Sequence, residues 1–252
     1  MIEYVDLAVA REANGVRLVV SGLVPSPWSE AAKGLFRVAG VPVVAVRSAR
    51  GNPDLVAWTG VDNVPVVLHG AEPVRTGWAA ITALAARLAG PGVLLPVDPR
   101  GRAHAMGLLE MIAGEDGLGW LGRDAMIDAS LTAGRGFSPP VAQYLAKRYA
   151  HAPTDRARVA ARLAILHETL AEQRARGHAY LGGAAISALD IYTATFLTPL
   201  SELGEAACPR LAPPLRAAFD TAREALGDLV SPELRAHRTM ILERHLGWPI
   251  EI

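Results

Sequence analysis

The sequence has little cysteine and no excess of charge of either sign. Cys208 is the single cysteine, so no disulfide framework can form within the chain. It precedes a proline and lies far from the N-terminal motifs, and we interpret it as structural rather than redox-active. The 25 lysines and arginines balance the 25 aspartates and glutamates. A net charge of zero argues against a general nucleic-acid binder, which depends on a basic surface.

Long apolar runs and metal-binding motifs are also missing. The most apolar stretch, residues 77–86, lies between Arg75 and Arg87 and is too short to span a bilayer. The first six residues are acidic and do not resemble a signal peptide. The seven histidines show no metal-ligand spacing. We therefore expect a cytoplasmic protein with no metal, no membrane partner and no nucleic-acid partner.

Apolar residues are abundant, at 51% of the total, which is enough for the core of one or two domains. Residues 16–38 show the clearest local pattern, in which an apolar strand is followed by a Pro-containing loop and a helix. Ser26 is placed to be the N-cap of this helix, and Pro27 to be its first residue. The Ser26 hydroxyl could cap the helix, or it could help the helix N-terminus to stabilise an anion such as a thiolate.

The first 90 residues alternate between strand and helix patterns, which predicts an α/β domain with a mixed four-stranded sheet. Residues 1–15 form a leader that the pattern does not place, although a turn at its end allows an extra hairpin strand. Thr76 is predicted to cap the last helix of this domain. After the strand that begins at residue 16, further strands are predicted at residues 41–46, 63–68 and 72–75.

Prolines and glycines at residues 91–99 predict a linker between two domains. The remainder, residues 100–252, has helical periodicity and predicts an all-α bundle. A glycine-rich stretch at residues 117–122 follows no strand, so we interpret it as a loop without dinucleotide chemistry. Helices are predicted at residues 100–113, 139–150, 154–176, 187–200, 212–227 and 232–246.

Three local features occur in a defined order along the chain. The first is the segment Ser26-Pro27-Trp28-Ser29, which follows the strand beginning at residue 16. The second is Val64-Pro65, which opens a later strand. The third is a capping box, in which Ser187 would be the N-cap and the Asp190 carboxylate would accept a hydrogen bond from its N–H group.

With these features the chain resembles the cytosolic glutathione transferases, and in particular their serine-type, bacterial-like members, over nearly its whole length. The resemblance implies a thioredoxin-like domain at residues 1–90, followed by an all-helical substrate domain at residues 100–252. It also implies that glutathione is the co-substrate. By the same resemblance Ser26 would donate a hydrogen bond to the glutathione thiolate, with Ser21 and Ser29 as alternatives.

The resemblance further implies a cis peptide bond between Val64 and Pro65, where the backbone would pair with glutathione. The chain departs from the family at Arg75-Thr76, where an acidic or amide residue usually precedes a serine. The Thr76 hydroxyl could still hold the γ-glutamyl carboxylate at a helix N-terminus. Arg75 would repel the ammonium group of glutathione and could bind a carboxylate instead. We therefore expect weak affinity for glutathione, which the substitution Arg75→Glu should strengthen.

Two functions follow as hypotheses. The first is an enzyme that conjugates the glutathione thiolate to an apolar, electrophilic small molecule. The second is a non-catalytic protein of the same fold that binds an apolar ligand in the cleft between its domains. Trp120, Tyr144 and Tyr192 could border this cleft, although we interpret each of them as a core residue. The resemblance also implies a homodimer.

Overall fold

The computed structural model describes residues 2–48 and 51–252. Strands and helices alternate in the first part of the chain, as the apolar patterns predict, because the helices cover the apolar faces of the sheet. The strands are β1 (Ile2–Tyr4), β2 (Val16–Ser21), β3 (Val43–Ser48), β4 (Val66–His69) and β5 (Arg75–Thr76). The helices are α1 (Leu7–Glu12), α2 (Pro27–Val38), α3 (Pro53–Thr59) and α4 (Trp78–Ala89).

The five strands form one mixed sheet in the order β1-β3-β2-β4-β5. β2 pairs in parallel with β3 and antiparallel with β4. The predicted leader at residues 1–15, apart from Met1, which lies outside the described residues, contains β1 and α1, and β1 pairs in parallel with β3. The extra strand therefore exists, but the prediction that it forms a hairpin with the strand at residue 16 was wrong, as was the count of four strands. Helix α1 acts as a crossover, which allows β1 and β2 to flank β3 in the same direction.

The rest of the chain is helical, and the predicted linker lies between α4 and the next helix. Short 3₁₀ turns at Thr198–Leu200 and Gly227–Leu229 and a π turn at Leu242–Leu246 each follow a helix of this part. No helix among the described residues is both long and apolar enough to cross a membrane. The helices are α5 (Pro99–Ala113), α6 (Leu118–Thr132), α7 (Pro139–Arg148), α8 (Arg156–Ala175), α9 (Ala188–Phe196), α10 (Pro213–Leu226) and α11 (Pro232–Ile241).

The glycine-rich stretch at residues 117–122 forms the start of helix α6. The interpretation of this stretch as a loop was therefore wrong. Gly119 serves close packing instead. A β-carbon on Gly119 would lie 2.4 Å from the Phe196 ring and 2.8 Å from the Trp28 ring, and real structures do not tolerate such distances. Gly119, which weakened the helical pattern, therefore allows α6 to approach α9 and the start of α2.

One apolar core runs through both parts of the chain. It includes Leu18 and Phe36 from the sheet and α2, and Leu109, Ile191 and Phe196 from the helical part. Helix α2 packs against α9, so the sheet's own helix is also the surface on which the helical part rests. This shared core fixes the position of the α2 N-terminus relative to the helices beyond residue 99.

The capping box predicted at Ser187 and Asp190 is confirmed. The Asp190 carboxylate accepts hydrogen bonds from the Ser187 N–H at 2.9 Å and the Leu181 N–H at 2.7 Å. His237 Nε2 lies 3.0 Å from Asp190 Oδ1, although the angles are outside hydrogen-bond geometry. Both side chains are fully buried. Asp190 therefore joins the start of α9 to the preceding loop and lies against α11.

Candidate functional site

A cleft of about 320 Å³ lies between the sheet and the helical part of the chain. Its residues come from the ends of strands and the beginnings of helices on one side, and from α5, α6 and α7 on the other. The first side is formed by Ser21, Val24, Ser26, Trp28, Asn63, Val64, Pro65, Gly77 and Trp78. The second side is formed by Ala113, Glu115, Trp120, Arg123 and Tyr149.

Ser26 occupies the N-cap position of α2, as predicted, and lines the cleft. Its side chain makes no capping hydrogen bond to the helix, so the interpretation of Ser26 as only a cap is not supported. The alternative Ser21 also lines the cleft. Ser29 is fully buried, and its hydroxyl accepts the Ser21 N–H at 3.2 Å. The structure thus brings Ser26 and Ser21 to the cleft, while Ser29 connects α2 to the end of β2.

The Val64-Pro65 peptide bond is cis, which confirms that prediction. Both residues line the cleft just before β4 begins. They lie on the same side of the cleft as Ser26, because β4 pairs with β2, the strand that leads to α2. Two of the features that the sequence separates by about 40 residues, Ser26 and Val64-Pro65, therefore meet in one place.

The start of α4 differs from the prediction. Gly77 is the N-cap residue, whereas Thr76 belongs to β5 and pairs with Val66. The φ angle of Gly77 is 77°, in the left-handed region that glycine adopts without steric cost. The prediction that Thr76 caps this helix was therefore wrong. Gly77 and Trp78 line the cleft, and they bring the N-terminus of α4 to it without a hydroxyl group.

Arg75 has a partner outside the cleft. Its guanidinium pairs with the Glu72 carboxylate, which also accepts hydrogen bonds from Arg87 at 2.7 Å and contacts His69 at 2.7 Å. Hydrogen bonds from Arg87, His69 and Arg75 lower the pKa of Glu72 to about 2. Arg75 thus shares the Glu72 carboxylate with Arg87 and does not line the cleft.

The helical side of the cleft contains a residue that the sequence did not reveal, Arg123. Its guanidinium carbon lies 3.8 Å from the centre of the Tyr149 ring, 4.6 Å from that of Trp28 and 5.0 Å from that of Trp120. Trp28 is held in place because its indole N–H donates to the Ala113 carbonyl at 3.1 Å. We name Arg123 with Trp28, Trp120 and Tyr149 the arginine–aromatic cluster. The sequence does place Trp120 and Arg123 one helical turn apart. This spacing was overlooked because the stretch that contains Trp120 was interpreted as a loop.

The other aromatic candidates take different positions. Trp120 lines the cleft, whereas Tyr144 is 46% exposed on α7. Tyr192 is buried, as expected for a core residue, and its hydroxyl lies 3.0 Å from that of Thr82. Burial raises the pKa of Tyr192 well above its ordinary value. Tyr192 is therefore a neutral core residue behind α4.

A second, more enclosed cavity of about 180 Å³ lies where the chain's last residues cover α2. Its walls include the Glu30–Lys33 ion pair, with 2.8 Å between the charged atoms. None of Ser26, Val64, Pro65 and Gly77 lines this cavity, so the cleft remains the stronger candidate.

Neither Cys208 nor the histidines contribute to the described lining of the cleft. Cys208 is fully buried, and burial raises the pKa of its thiol, which fits a structural role. Within residues 2–48 and 51–252, no cluster of three or more histidine, cysteine, aspartate or glutamate side chains has the arrangement of a metal site.

No protein-family profile and no curated protein matches the sequence, but solved structures match the fold. A glutathione transferase family member from Pseudomonas fluorescens, solved with two glutathione molecules bound, superposes with a TM-score of 0.55 at 17% identity, covering 89% of this chain and 92% of that one. The β-etherase of Sphingobium sp. strain SYK-6 gives a TM-score of 0.56 at 15% identity, covering 88% and 98%.

A tau-class glutathione transferase from mango, Mangifera indica, gives a TM-score of 0.51 at 20% identity, covering 90% of this chain and 96% of that one. These matches extend across both the sheet and the helical part. At identities of 15–20%, these superpositions establish the fold alone. The chain therefore has the fold of the glutathione transferases, with a thioredoxin-like sheet domain followed by a helical one.

Proposed function

We propose that this protein is a glutathione transferase-like enzyme that conjugates the glutathione thiolate to a largely apolar, electrophilic small molecule. The observation that carries the proposal is the position of Ser26. Its hydroxyl makes no capping bond and lines a cleft that also contains Val64, Pro65 and the N-terminus of α4. A structural neighbour that binds glutathione and another that is a β-etherase support thiol-dependent chemistry on this fold.

The chemistry requires a thiolate near neutral pH. A hydroxyl donor and the N–H groups at the start of α2 both favour the charged form of a thiol, and so lower its pKa. The thiolate sulfur then forms a bond with the electrophilic carbon, and the leaving group departs with the electron pair of the broken bond. The aromatic side chains across the cleft would hold an apolar electrophile against the sulfur.

Ser26→Ala tests this proposal. We expect turnover with glutathione to fall on the order of 10²-fold, as when one oxyanion-hole donor is removed. The pKa of the bound thiol, followed by its ultraviolet absorbance, should rise in the same variant. Ser21→Ala is the matched comparison, since Ser21 also lines the cleft. Loss of activity in Ser21→Ala with normal Ser26→Ala turnover would assign the role to Ser21.

A second function is favoured by one observation, the missing hydroxyl at the start of α4. Gly77 occupies the N-cap there and Thr76 belongs to the sheet, so the side-chain hydroxyl expected for the γ-glutamyl carboxylate is replaced by backbone N–H groups alone. A non-catalytic protein that binds an apolar ligand in the cleft fits this arrangement. Isothermal titration calorimetry with glutathione separates the two functions, because the non-catalytic protein would show no heat of binding.

We also propose that the protein is a cytoplasmic homodimer, a proposal that rests on the resemblance in sequence and fold. Obligate interfaces commonly bury roughly 2,000 Å² or more in total. Light scattering at micromolar concentration should therefore give twice the mass of one chain, and the mass of a single chain would contradict the dimer.

A further inference from the structure

The arginine–aromatic cluster joins the two sides of the cleft. Trp120 and Arg123 lie one turn apart on α6, and Tyr149 lies at the C-terminal end of α7. Trp28 belongs to α2, and its ring contacts Phe196 of α9 edge to face, with 4.8 Å between ring centres. Three rings from three helices therefore surround one guanidinium group within the substrate cleft.

The three ring contacts restrict the orientation of the Arg123 side chain. A cation over the face of an aromatic ring is attracted by the ring quadrupole, most strongly where water is excluded. Stacking uses the faces of a planar guanidinium and leaves the N–H groups at its edge for hydrogen bonds. An oriented guanidinium is the protein group best matched to a carboxylate, which it binds through two parallel hydrogen bonds.

Two acidic residues of the described chain lie near Arg123, namely Glu115 in the lining of the cleft and Asp124 on α6. Glu115 is the other charged residue in the described lining of the cleft, and it is exposed to solvent, which screens its field. Asp124, the next residue on α6, does not line the cleft. Burial raises the pKa of Asp124, whose carboxylate accepts the Ala152 N–H and is attracted first by His151 and then by Arg123. In the described lining of the cleft, Arg123 is thus the positively charged residue beside the aromatic surface.

We infer that Arg123 is a specificity-determining residue, which selects electrophiles that carry a carboxylate on a flat, aromatic or conjugated body. The flat body would pack against Trp120 and Tyr149, and the carboxylate would bind the edge of the Arg123 guanidinium. This inference rests on the proposed function, since it names the class of electrophile that the thiolate attacks. It replaces the sequence-based expectation that Arg75 would be the group that favours a carboxylate.

A binding experiment without glutathione tests the inference directly. The ligands are para-nitrobenzoate and para-nitrobenzamide, which have nearly the same shape and differ in charge. We expect the wild-type protein to bind the carboxylate roughly tenfold or more tightly than the amide in calorimetric titration, the scale of one charge-assisted hydrogen bond. Arg123→Gln should remove this preference, and Arg123→Lys should retain part of it. Arg135→Gln is the control, because Arg135 is exposed and pairs with Glu224 outside the cleft.

A turnover experiment separates this inference from the proposed function. The substrates are para-chloro-meta-nitrobenzoate and its amide, each corrected for its uncatalysed rate with glutathione. In each reaction the sulfur–carbon bond forms and chloride leaves with the electron pair of the carbon–chlorine bond. We expect a lower KM for the carboxylate in wild type and equal KM values in Arg123→Gln.

Each outcome decides one of the two proposals. Equal affinities of the wild-type protein for the two nitrobenzene ligands would overturn the inference, whether or not the variants fold, and leave the proposed function standing if glutathione is still conjugated. A carboxylate preference that depends on Arg123, without any turnover, would support the inference and contradict the proposed enzyme. If Arg123→Gln raised the pKa of the bound thiol and left the carboxylate preference unchanged, Arg123 would act on the thiolate, and the inference would be wrong.

Discussion

The two sides of the cleft are built in different ways. On the sheet side, small side chains and backbone groups at strand ends and helix starts form the surface, as at Ser26, Val64 and Gly77. On the helical side, large side chains form it, and Trp120 and Arg123 depend on Gly119 for the close approach of α6. The first side follows from local turn chemistry, whereas the second follows from the packing of helices that are distant in sequence.

This difference separates two kinds of recognition. A surface of N–H groups and a hydroxyl at helix starts suits a small polar molecule with a fixed backbone, such as a peptide-like thiol. A surface of rings around a guanidinium suits a flat molecule with one negative group. Changes on the sheet side should therefore act on the thiol, and changes on the helical side should act on the electrophile or on stability.

The largest effect on stability is expected at Asp190, which belongs to the capping box of α9. Asp190→Ala removes a cap, which costs about 0.5–2 kcal/mol. It also leaves the buried Leu181 N–H without its acceptor, at a cost of about 1–3 kcal/mol more. Urea unfolding measures the sum, with Ser187→Ala as a milder control that removes one hydroxyl.

The folded fraction of Asp190→Ala should keep near-normal turnover per molecule, because Asp190 is fully buried and belongs to neither side of the cleft. A large loss of turnover at undiminished stability would show that this carboxylate has a functional role. Such a result would contradict the interpretation that Asp190 only caps α9 and takes no part in the chemistry of the cleft.

An intermediate effect is expected at Gly119, which holds the two sides together. In Gly119→Ala the new methyl group meets Phe196 and Trp28, and overpacking of this kind costs roughly 1–3 kcal/mol. Gly122→Ala, on the same helix, is the matched control, because the nearest atom to its β-carbon is 3.8 Å away. It should be neutral or stabilising by about 0.5–1 kcal/mol.

Thermal unfolding monitored by circular dichroism compares the two glycine variants, and tryptophan fluorescence reports on Trp28. Equal stability of the two variants would mean that α6 can move away from α2 and α9 without cost. The helical side of the cleft would then be adaptable rather than fixed by packing.

The smallest effect is expected at Glu72, which lies outside both sides of the cleft. Its pKa in the folded protein is about 2, below the ordinary value of 4.5, chiefly because Arg87 donates hydrogen bonds to it. The stabilisation is therefore fully present above pH 4.5 and is lost as the pH falls through about 2. Glu72→Gln should be less stable than wild type at neutral pH, and this difference should shrink between these two values.

Guanidinium chloride would mask such an ion-pair effect, so urea unfolding across this pH range is the suitable measurement, with the exposed Glu205→Gln as control. A constant difference at all pH values would show that Glu72 acts through packing and not through its charge. Because Arg75 pairs with Glu72, Glu72→Gln also tests whether a released Arg75 changes the affinity for glutathione.

Much of the fold was predictable from the sequence, because its signals are local. The strand, loop and helix around Ser26, the proline at residue 65 and the capping box at Asp190 each depend on a few neighbouring residues. The prediction failed where a local signal was ambiguous. Residues 117–122 looked like a loop because glycine weakens a helix, and Thr76 looked like a cap because the positive φ of Gly77 is not visible in a sequence.

The sequence alone therefore determined the order of elements from β2 to α4, the separation of an α/β part from a helical part, and the serine at the N-cap of α2. Tertiary structure decided which side chains face the cleft. It paired Arg75 with Glu72 and placed Arg123 among three rings that lie up to 121 positions apart, from Trp28 to Tyr149. The physical reason is that backbone conformation follows from neighbours in sequence, whereas the partner of a long charged side chain depends on which elements pack around it.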